Sequence, residues 1–360
     1  MAKTRIKHKL RRLIHRHLKV GWDWLVYDPL KRPNVDILHT FNSVCAADVP
    51  WVVTFESTIP RTNQTVGRLW ERDSEEDVLP DRFTLRSLEL LLSHNCVAAI
   101  AISESALRIQ KNMLEHIRVQ DIDISLLRDK LCVIHPPQKC MIDSYFLHKK
   151  YESICTCINF LFVGRDFFRK GGVQLVEALR KYEDQRSFHL TIISDLGYRD
   201  FASIEEMKYW ETVLPLIPWV TWIRTLSNHE VIELCKKSHI GCLPTLQDTY
   251  GYSILEMQAC GCPVITTNVR ACPEINNELC GWIVPLKIDH IGGEAIRYTD
   301  IDKENRKKEL LDGLDKCISN IFDHPAMIMR KAEQSLERIA KEHDPNVYAE
   351  KLKYLYRRVL

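Results

Sequence analysis

Gly164-Arg165-Asp166-Phe167-Phe168-Arg169-Lys170-Gly171-Gly172 follows the apolar run Ile158–Val163 and precedes a segment of helical period that opens at Val173. A strand, a glycine turn and a helix start together make an anion site, because glycine lets the backbone approach a ligand and the first helical turn presents free N–H groups. Arg165 and Lys170 add full positive charge beside it. The spacing is neither G-x-G-x-x-G nor G-x-x-x-x-G-K-[ST], which argues against a dinucleotide or an ATP-hydrolase loop. The plain alternative is a surface turn carrying two solvated cations.

A second constellation runs from Leu243 through Pro244-Thr245-Leu246-Gln247-Asp248-Thr249-Tyr250-Gly251-Tyr252-Ser253-Ile254-Leu255-Glu256 and on to Ala259-Cys260-Gly261-Cys262-Pro263-Val264-Ile265. Here too a strand ends in a loop with glycine just before a helix. Asp248 falls in the loop and Glu256 about one turn inside the helix. Alone, Asp248 reads equally as a helix cap and Glu256 as an ordinary exposed helix residue. Together they are poor phosphate ligands but good acceptors for sugar hydroxyls. An anion site next to hydroxyl acceptors reads as a site for a nucleotide sugar.

The elements that would position these residues follow an α/β pattern, in which short β-branched runs alternate with helical segments. The first half predicts strands at Val35–Phe41, Trp51–Phe55, Val97–Ile102 and Leu131–Ile134, with helices near Arg82–Ser93 and Glu104–Gln120 and a polar, irregular stretch at Ser57–Pro80. The second half predicts strands at Ile158–Val163, His189–Ser194, Trp219–Ile223, Ile240–Leu243, Val264–Thr267 and Trp282–Val284. Capping boxes, Ser203-x-x-Glu206 and Ser227-x-x-Glu230, mark two helix starts, and Asp344-Pro345 opens a last helix. Pro136–Ser153, with Pro136-Pro137 and no clear period, reads as a linker. The domains expected are a basic segment at 1–24, α/β domains at 25–150 and 151–343, and a terminal helix at 344–360.

The 360 residues are 45% hydrophobic and 27% charged, as in a globular chain that buries a sizeable core. Lys+Arg 50 against Asp+Glu 48 leaves a net charge of +2, so no global field commits the chain to nucleic acid. The charge is nonetheless uneven, because residues 1–19 hold eight Lys/Arg and no acid. Ile6, Leu10, Leu13, Ile14 and Leu18 form one helical stripe there, which suits an anionic membrane surface or packing on the first domain equally. The 13 cysteines are odd in number and lie mostly in apolar runs, as buried reduced thiols do. No second Cys/His pair stands at zinc spacing, so no metal site is expected. Without a signal peptide or an apolar run of spanning length, the expected location is cytoplasmic, with the basic head as a peripheral membrane contact.

The Gly-Arg…Lys-Gly segment, the two acids around a Tyr-Gly turn, Cys260-Gly261-Cys262-Pro263-Val264, and Pro273-Glu274-Ile275 with Gly281-Trp282-Ile283-Val284-Pro285 resemble the donor half of retaining family 4 glycosyltransferases. The resemblance implies the GT-B architecture, two Rossmann-like domains facing a cleft, and no cofactor beyond a nucleoside-diphosphate sugar as donor. It implies that Arg165 and Lys170 bind the donor diphosphate and Glu256 the ribose. Asp248 stands one methylene short where the family has a glutamate that contacts the donor sugar, and is counted with Arg165 and Lys170 as catalytic. Gly164, Gly251, Tyr252 and Ser253 line the donor. Asp36-Ile37-Leu38-His39 and Val52-Val53-Thr54-Phe55-Glu56-Ser57 resemble strand ends of the acceptor half, making His39 and Glu56 the candidates for the acceptor or donor-sugar side. Glu56 stands where the family often has histidine. The implied reaction is transfer of the sugar, with retention, to a saccharide or lipid-linked saccharide acceptor in polysaccharide or glycoconjugate assembly. A non-catalytic sugar-nucleotide-binding subunit, or an epimerase or phosphorylase of similar architecture, would share much of this sequence.

Overall fold

The computed structural model describes residues 25–29, 31–65, 78–119, 123–152, 154, 156–197, 201–289 and 300–358. The basic segment 1–24 and residues 66–77 of the Ser57–Pro80 stretch lie outside these residues. The chain divides into two compact units, Met1–Pro136 with Asn346–Leu360 and Pro137–Pro345.

In the first unit, β1 (Val26–Tyr27) pairs with β3 (Val44–Cys45), while β2 (Leu38–Phe41), β4 (Trp51–Phe55), β5 (Cys96–Ala101) and β6 (Leu131–Val133) form a parallel sheet in the order β2-β4-β5-β6. Residues alternate across a strand, and Trp51, Val53 and Phe55 enter one core with Leu88 and Leu91 while Val52 enters another with Ile100. The helices are α1 (Arg82–Leu92), capped by Asp81, and α2 (Glu104–His116), capped by Ser103. Two boundaries differ from expectation for identifiable reasons. Strand β2 starts at Leu38, whose N–H finds its first ladder acceptor at Pro50 O, and Val35 stays exposed. Helix α2 stops at His116 because Ile117 leaves it to bridge Val78.

Residues 144–151, expected as linker, instead form α3 (Ser144–Tyr151) in the second unit. The Asp143 carboxylate caps the Phe146 N–H, and Leu147 and Tyr151 enter the core. The division between units accordingly lies at Pro136, earlier than the expected boundary at 150.

The second unit holds β7 (Ile158–Val163), β8 (Phe188–Ile193), β9 (Val220–Ile223), β10 (Ile240–Leu243), β11 (Val264–Thr267) and β12 (Gly281–Val284). All pair in parallel, in the order β12-β11-β10-β7-β8-β9. Between them run α4 (Gly172–Arg180), α5 (Ile204–Val213), α6 (Asn228–Lys237), α7 (Tyr252–Ala259) and α8 (Cys272–Ile275), followed by α9 (Asp300–Asp323) and α10 (Ala326–Glu342), whereas α11 (Pro345–Tyr356) belongs from Asn346 onward to the first unit. Strands buried on both faces read as continuous apolar runs, as Ile158–Val163 does with Phe160 and Phe162 in the core beside Leu175, Leu190 and Ile192. Both capping boxes form as the sequence predicts. The strand order grows outward in both directions from the β7–β10 pair. In such a sheet the crossovers diverge there, and ligands bind outside the carboxyl ends of those two strands.

Candidate functional site

The loops that leave β7 and β10 carry the two constellations singled out above. Lys170 follows β7 and Asp248 follows β10, and the Lys170 Nζ lies 2.5 Å from Asp248 Oδ2. The ammonium also donates to Gln247 O at 3.2 Å. Lys170 is only 8% exposed. The same loops are joined through the backbone, where the Leu246 N–H donates to Arg169 O at 2.9 Å. Gly171 has φ +74°, and a Cβ there would stand 2.1 Å from Pro244 O, so only glycine lets the two loops close on each other.

Helices α4 and α7 begin in the same way. Their N-cap residues are Gly171 and Gly251, both in the left-handed region, and neither helix start is capped by a side chain. Serine or aspartate caps α5, α6 and α3 and takes up their first N–H groups. At α4 and α7 no side chain takes up the first-turn donors, although the Gly172 N–H bonds Phe167 O at 2.9 Å and the Ile254 N–H bonds Gly251 O at 2.9 Å, and the positive end of each helix dipole lies behind these turns. Tyr252 and Ser253 form the first turn of α7, Tyr252 exposed and Ser253 half-buried. Gly164 directly follows β7, and its N–H donates to Ile193 O at 3.1 Å. Arg165 is exposed and has no ion-pair partner among the described residues, whereas Arg169, two positions from Phe167 in the same loop, is held by Asp166.

Glu256 lies farther along α7 and is half-buried. Its Oε1 accepts from Asn228 Nδ2 at 3.0 Å, which fixes the carboxylate against the first residue of α6. Burial raises its pKa, and the Asn228 hydrogen bond opposes that rise. Asn228 is a partner that sequence reasoning missed, since nothing local links positions 28 residues apart in sequence. Tyr250, also passed over, is 2% exposed and stacks on Tyr252 with ring centroids 5.0 Å apart. Its hydroxyl is buried without a hydrogen-bond partner, and burial raises its pKa.

His39 and Glu56 belong to the first unit. His39 Nδ1 is 2.6 Å from the Tyr356 hydroxyl and Nε2 is 2.8 Å from Thr54 Oγ1, so both ring nitrogens are engaged within that unit. Glu56 Oε2 pairs with Arg61 Nη1 at 3.2 Å, and its N–H donates to Asn42 Oδ1 at 3.1 Å. The described cysteines are free thiols, and no group of three metal-ligating side chains occurs among the described residues. None of the described helices is long and apolar enough to cross a membrane.

The segment from Leu147 through Lys308, which contains β7–β12 and both loops, matches the family model of glycosyl transferases group 1 over residues 147–308. Among relatives of this chain, an uncharacterized glycosyltransferase of Methanocaldococcus jannaschii is 28% identical over 36% of this chain and 33% of its own length. An uncharacterized 41.2 kDa protein in the cps region of Klebsiella pneumoniae is 29% identical over 52% of this chain and 51% of its own. The match thus spans about a third and about half of the length of these relatives. Among solved structures, sucrose-phosphate synthase of Thermosynechococcus elongatus aligns with a TM-score of 0.60 at 17% identity, covering 90% of this chain and 73% of that one. HepE of Anabaena in complex with UDP-glucose aligns at 0.57 and 14% identity, covering 89% and 79%. At such identities the likeness is one of fold, and the fold is that of the GT-B glycosyltransferases.

Proposed function

We propose that the chain is a retaining, metal-independent glycosyltransferase that moves a sugar, in the simplest case a hexose, from a nucleoside diphosphate to an acceptor hydroxyl. The observation that carries this reading is the meeting of Lys170 and Asp248 outside the carboxyl ends of β7 and β10, between two uncapped helix starts. Lys170 and Arg165 meet the diphosphate, while Asp248 and Glu256 accept from hydroxyls, Asp248 on the transferred sugar and Glu256 on the ribose. As the glycosidic bond breaks, negative charge grows on the leaving diphosphate. Fixed cations and helix N–H groups stabilise that charge without solvent having to reorganise. The leaving phosphate takes the acceptor proton on the face from which it departs, so configuration is retained. Lys170 already has a preset partner in Asp248, and binding donor converts that pair into a triad of ammonium, phosphate and hydroxyl-bonded carboxylate.

Support for a nucleotide-sugar donor comes from HepE, whose structure holds UDP-glucose. Support for polysaccharide or glycoconjugate assembly comes from the likeness in fold to WaaG, a glycosyltransferase involved in lipopolysaccharide biosynthesis. A saccharide or lipid-linked saccharide is the acceptor we infer, with residues 1–20 as a peripheral contact to an anionic membrane. Removing those residues should abolish co-sedimentation with anionic liposomes and spare activity on a soluble acceptor.

The deciding experiment is a thermal-shift panel of UDP, GDP, ADP and their sugars, since a ligand that binds only the native state raises apparent stability. Turnover of the stabilising labelled donor, with and without saccharide acceptors, follows. A shift without turnover under any acceptor would favour the non-catalytic binding subunit, a reading to which the closed Glu56–Arg61 pair lends weight.

A further inference from the structure

Helices α4 and α9 border a cleft of about 260 Å³ whose apolar wall includes Phe168, Phe201 and Leu311. Sites for drug-sized ligands run to roughly 300–1,000 Å³, so this one suits a smaller molecule. Gln174 and Glu177 line it from α4, three residues apart and hence on one face of the helix. Gln174 is only 5% exposed, and its Oε1 is buried without a hydrogen-bond partner. An acceptor buried and left unpaired is costly, and native structures seldom keep one without a reason.

Glu177 is half-buried, and its carboxylate makes no hydrogen bond or ion pair among the described residues. Burial raises its pKa, while Arg180, Lys181 and Lys307 oppose that rise as charges beyond ion-pair distance. The remaining acids of the cleft are already engaged. Lys307 Nζ lies 2.8 Å from Glu304 Oε1 and 3.7 Å from Glu206 Oε1, and Glu206 Oε2 accepts from the Ser203 N–H at 2.9 Å. With exposed Lys308, the lining holds two ammonium groups against three carboxylates, which leaves it one positive charge short. The two polar groups without partners, the Gln174 oxygen and the Glu177 carboxylate, are both acceptors. An ammonium offers three donors and no acceptor, whereas a hydroxyl would bring lone pairs that need donors of their own. The apolar wall calls for a carbon skeleton beside that charge.

We infer that this cleft is a binding site for a small primary ammonium compound with an apolar body, its ammonium held by Gln174 Oε1 and the Glu177 carboxylate and its carbon skeleton against Phe168, Phe201 and Leu311. The site lies within the second unit and stands independently of the nucleotide-sugar reading. Phe168 belongs to the same loop as Arg165 and Lys170, so an occupant touches that loop at a residue the proposed reaction does not use.

The test titrates the full chain with benzylammonium chloride and, separately, with benzyl alcohol, which keeps the ring and replaces the ammonium by a hydroxyl. Ligand-observed NMR reads both affinities. Wild-type protein is expected to bind the ammonium at least about 10-fold tighter than the alcohol, and Glu177→Gln to lose about 10- to 100-fold in ammonium affinity, the range for hydrogen bonds to charged groups. Gln174→Met, which removes the unpaired oxygen at similar size, is expected to lose about 3- to 10-fold. Circular dichroism checks that each variant folds, and Glu177→Gln, an isostere at a half-buried position, carries the test even should Gln174→Met unfold. Equal affinity for ammonium and alcohol, no saturable ammonium binding to the wild type, or unchanged affinity in Glu177→Gln would each overturn the inference. A loss in Asp248→Asn with none in Glu177→Gln would place the ammonium at the β10 loop and overturn it as well.

Discussion

Lys170 and Asp248 are 78 residues apart in sequence and 2.5 Å apart in the structure, with their side chains 10% and 15% exposed. Removing one member of so covered a pair leaves a charge with neither water nor partner, which typically costs more than the pair itself contributes. Lys170→Ala is expected to lower unfolding free energy by about 3 kcal/mol, and Lys170→Ala with Asp248→Ala to recover part of that loss. Urea denaturation of the two single variants and the double variant checks this. Strictly additive losses would show that the pair is not coupled.

Arg165 should behave in the opposite way. It is exposed and lacks an ion-pair partner among the described residues, so Arg165→Ala leaves stability unchanged while turnover falls about 100-fold or more, as when a preorganised charge donor is removed. Unchanged kcat/KM would take Arg165 out of the site.

The two acids are expected to separate functionally. Glu256 is fixed against Asn228 on α6, whereas Asp248 is fixed against Lys170 on the loop that leaves β7. Glu256→Gln should therefore weaken the bare nucleoside diphosphate and the sugar donor alike, and Asn228→Ala should do the same more mildly. Asp248→Asn should chiefly harm reaction of the intact sugar donor. Calorimetry with the diphosphate and with its sugar measures the split, and identical patterns in both acid variants would contradict it.

His239 sets a pH limit on the second unit. It is 1% exposed, its Nδ1 accepts from the Asn159 N–H at 3.0 Å, and its Nε2 lies 3.2 Å from Lys150 O. A proton on Nδ1 would face another N–H, and burial lowers the pKa from 6.5 to about 4. The unfolded chain takes up this proton near pH 6.5 and the native chain only near pH 4. Stability is therefore undiminished above the upper value and declines as pH falls between the two, by on the order of 3 kcal/mol in all. Denaturant midpoints at pH 7.5, 6 and 5 measure the trend, and a His239→Gln variant should lose most of this slope.

Tyr250→Phe should stabilise the protein. The hydroxyl is buried with no hydrogen-bond partner, while the ring packs against Tyr252. Deleting the oxygen removes an uncompensated desolvation cost and keeps the packing, a gain of about 1 kcal/mol. A drop in melting temperature would mean that the oxygen meets a water or a ligand group that holds it.

What could be read in the sequence was local. The six strands of the second unit, both capping boxes and the two glycine turns follow from apolar runs and side-chain chemistry within a few residues. Helix α3 escaped because only Leu147 and Tyr151 mark its buried face and Pro136-Pro137 stands just upstream, although Asp143 was a cap in plain view. The ends of β2 and α2 depend on partners at Pro50 and Val78, which no window of pattern contains. In the site, charges and spacing singled out Lys170, Asp248 and Glu256, of which the structure joins the first two. The bonds of Asp248 to Lys170 and of Glu256 to Asn228 arise from tertiary contact alone.

The Leu246–Arg169 backbone bond and the fit of Gly171 beneath Pro244 bear on how such a protein can change. Because each loop is the other's scaffold, neither can be exchanged by itself: a β7 loop grafted from a relative would arrive without its counterpart and lose both the glycine fit and the ion pair. New ligand preferences at this site must therefore accumulate in side chains around this joined frame, or the two loops must be inherited together.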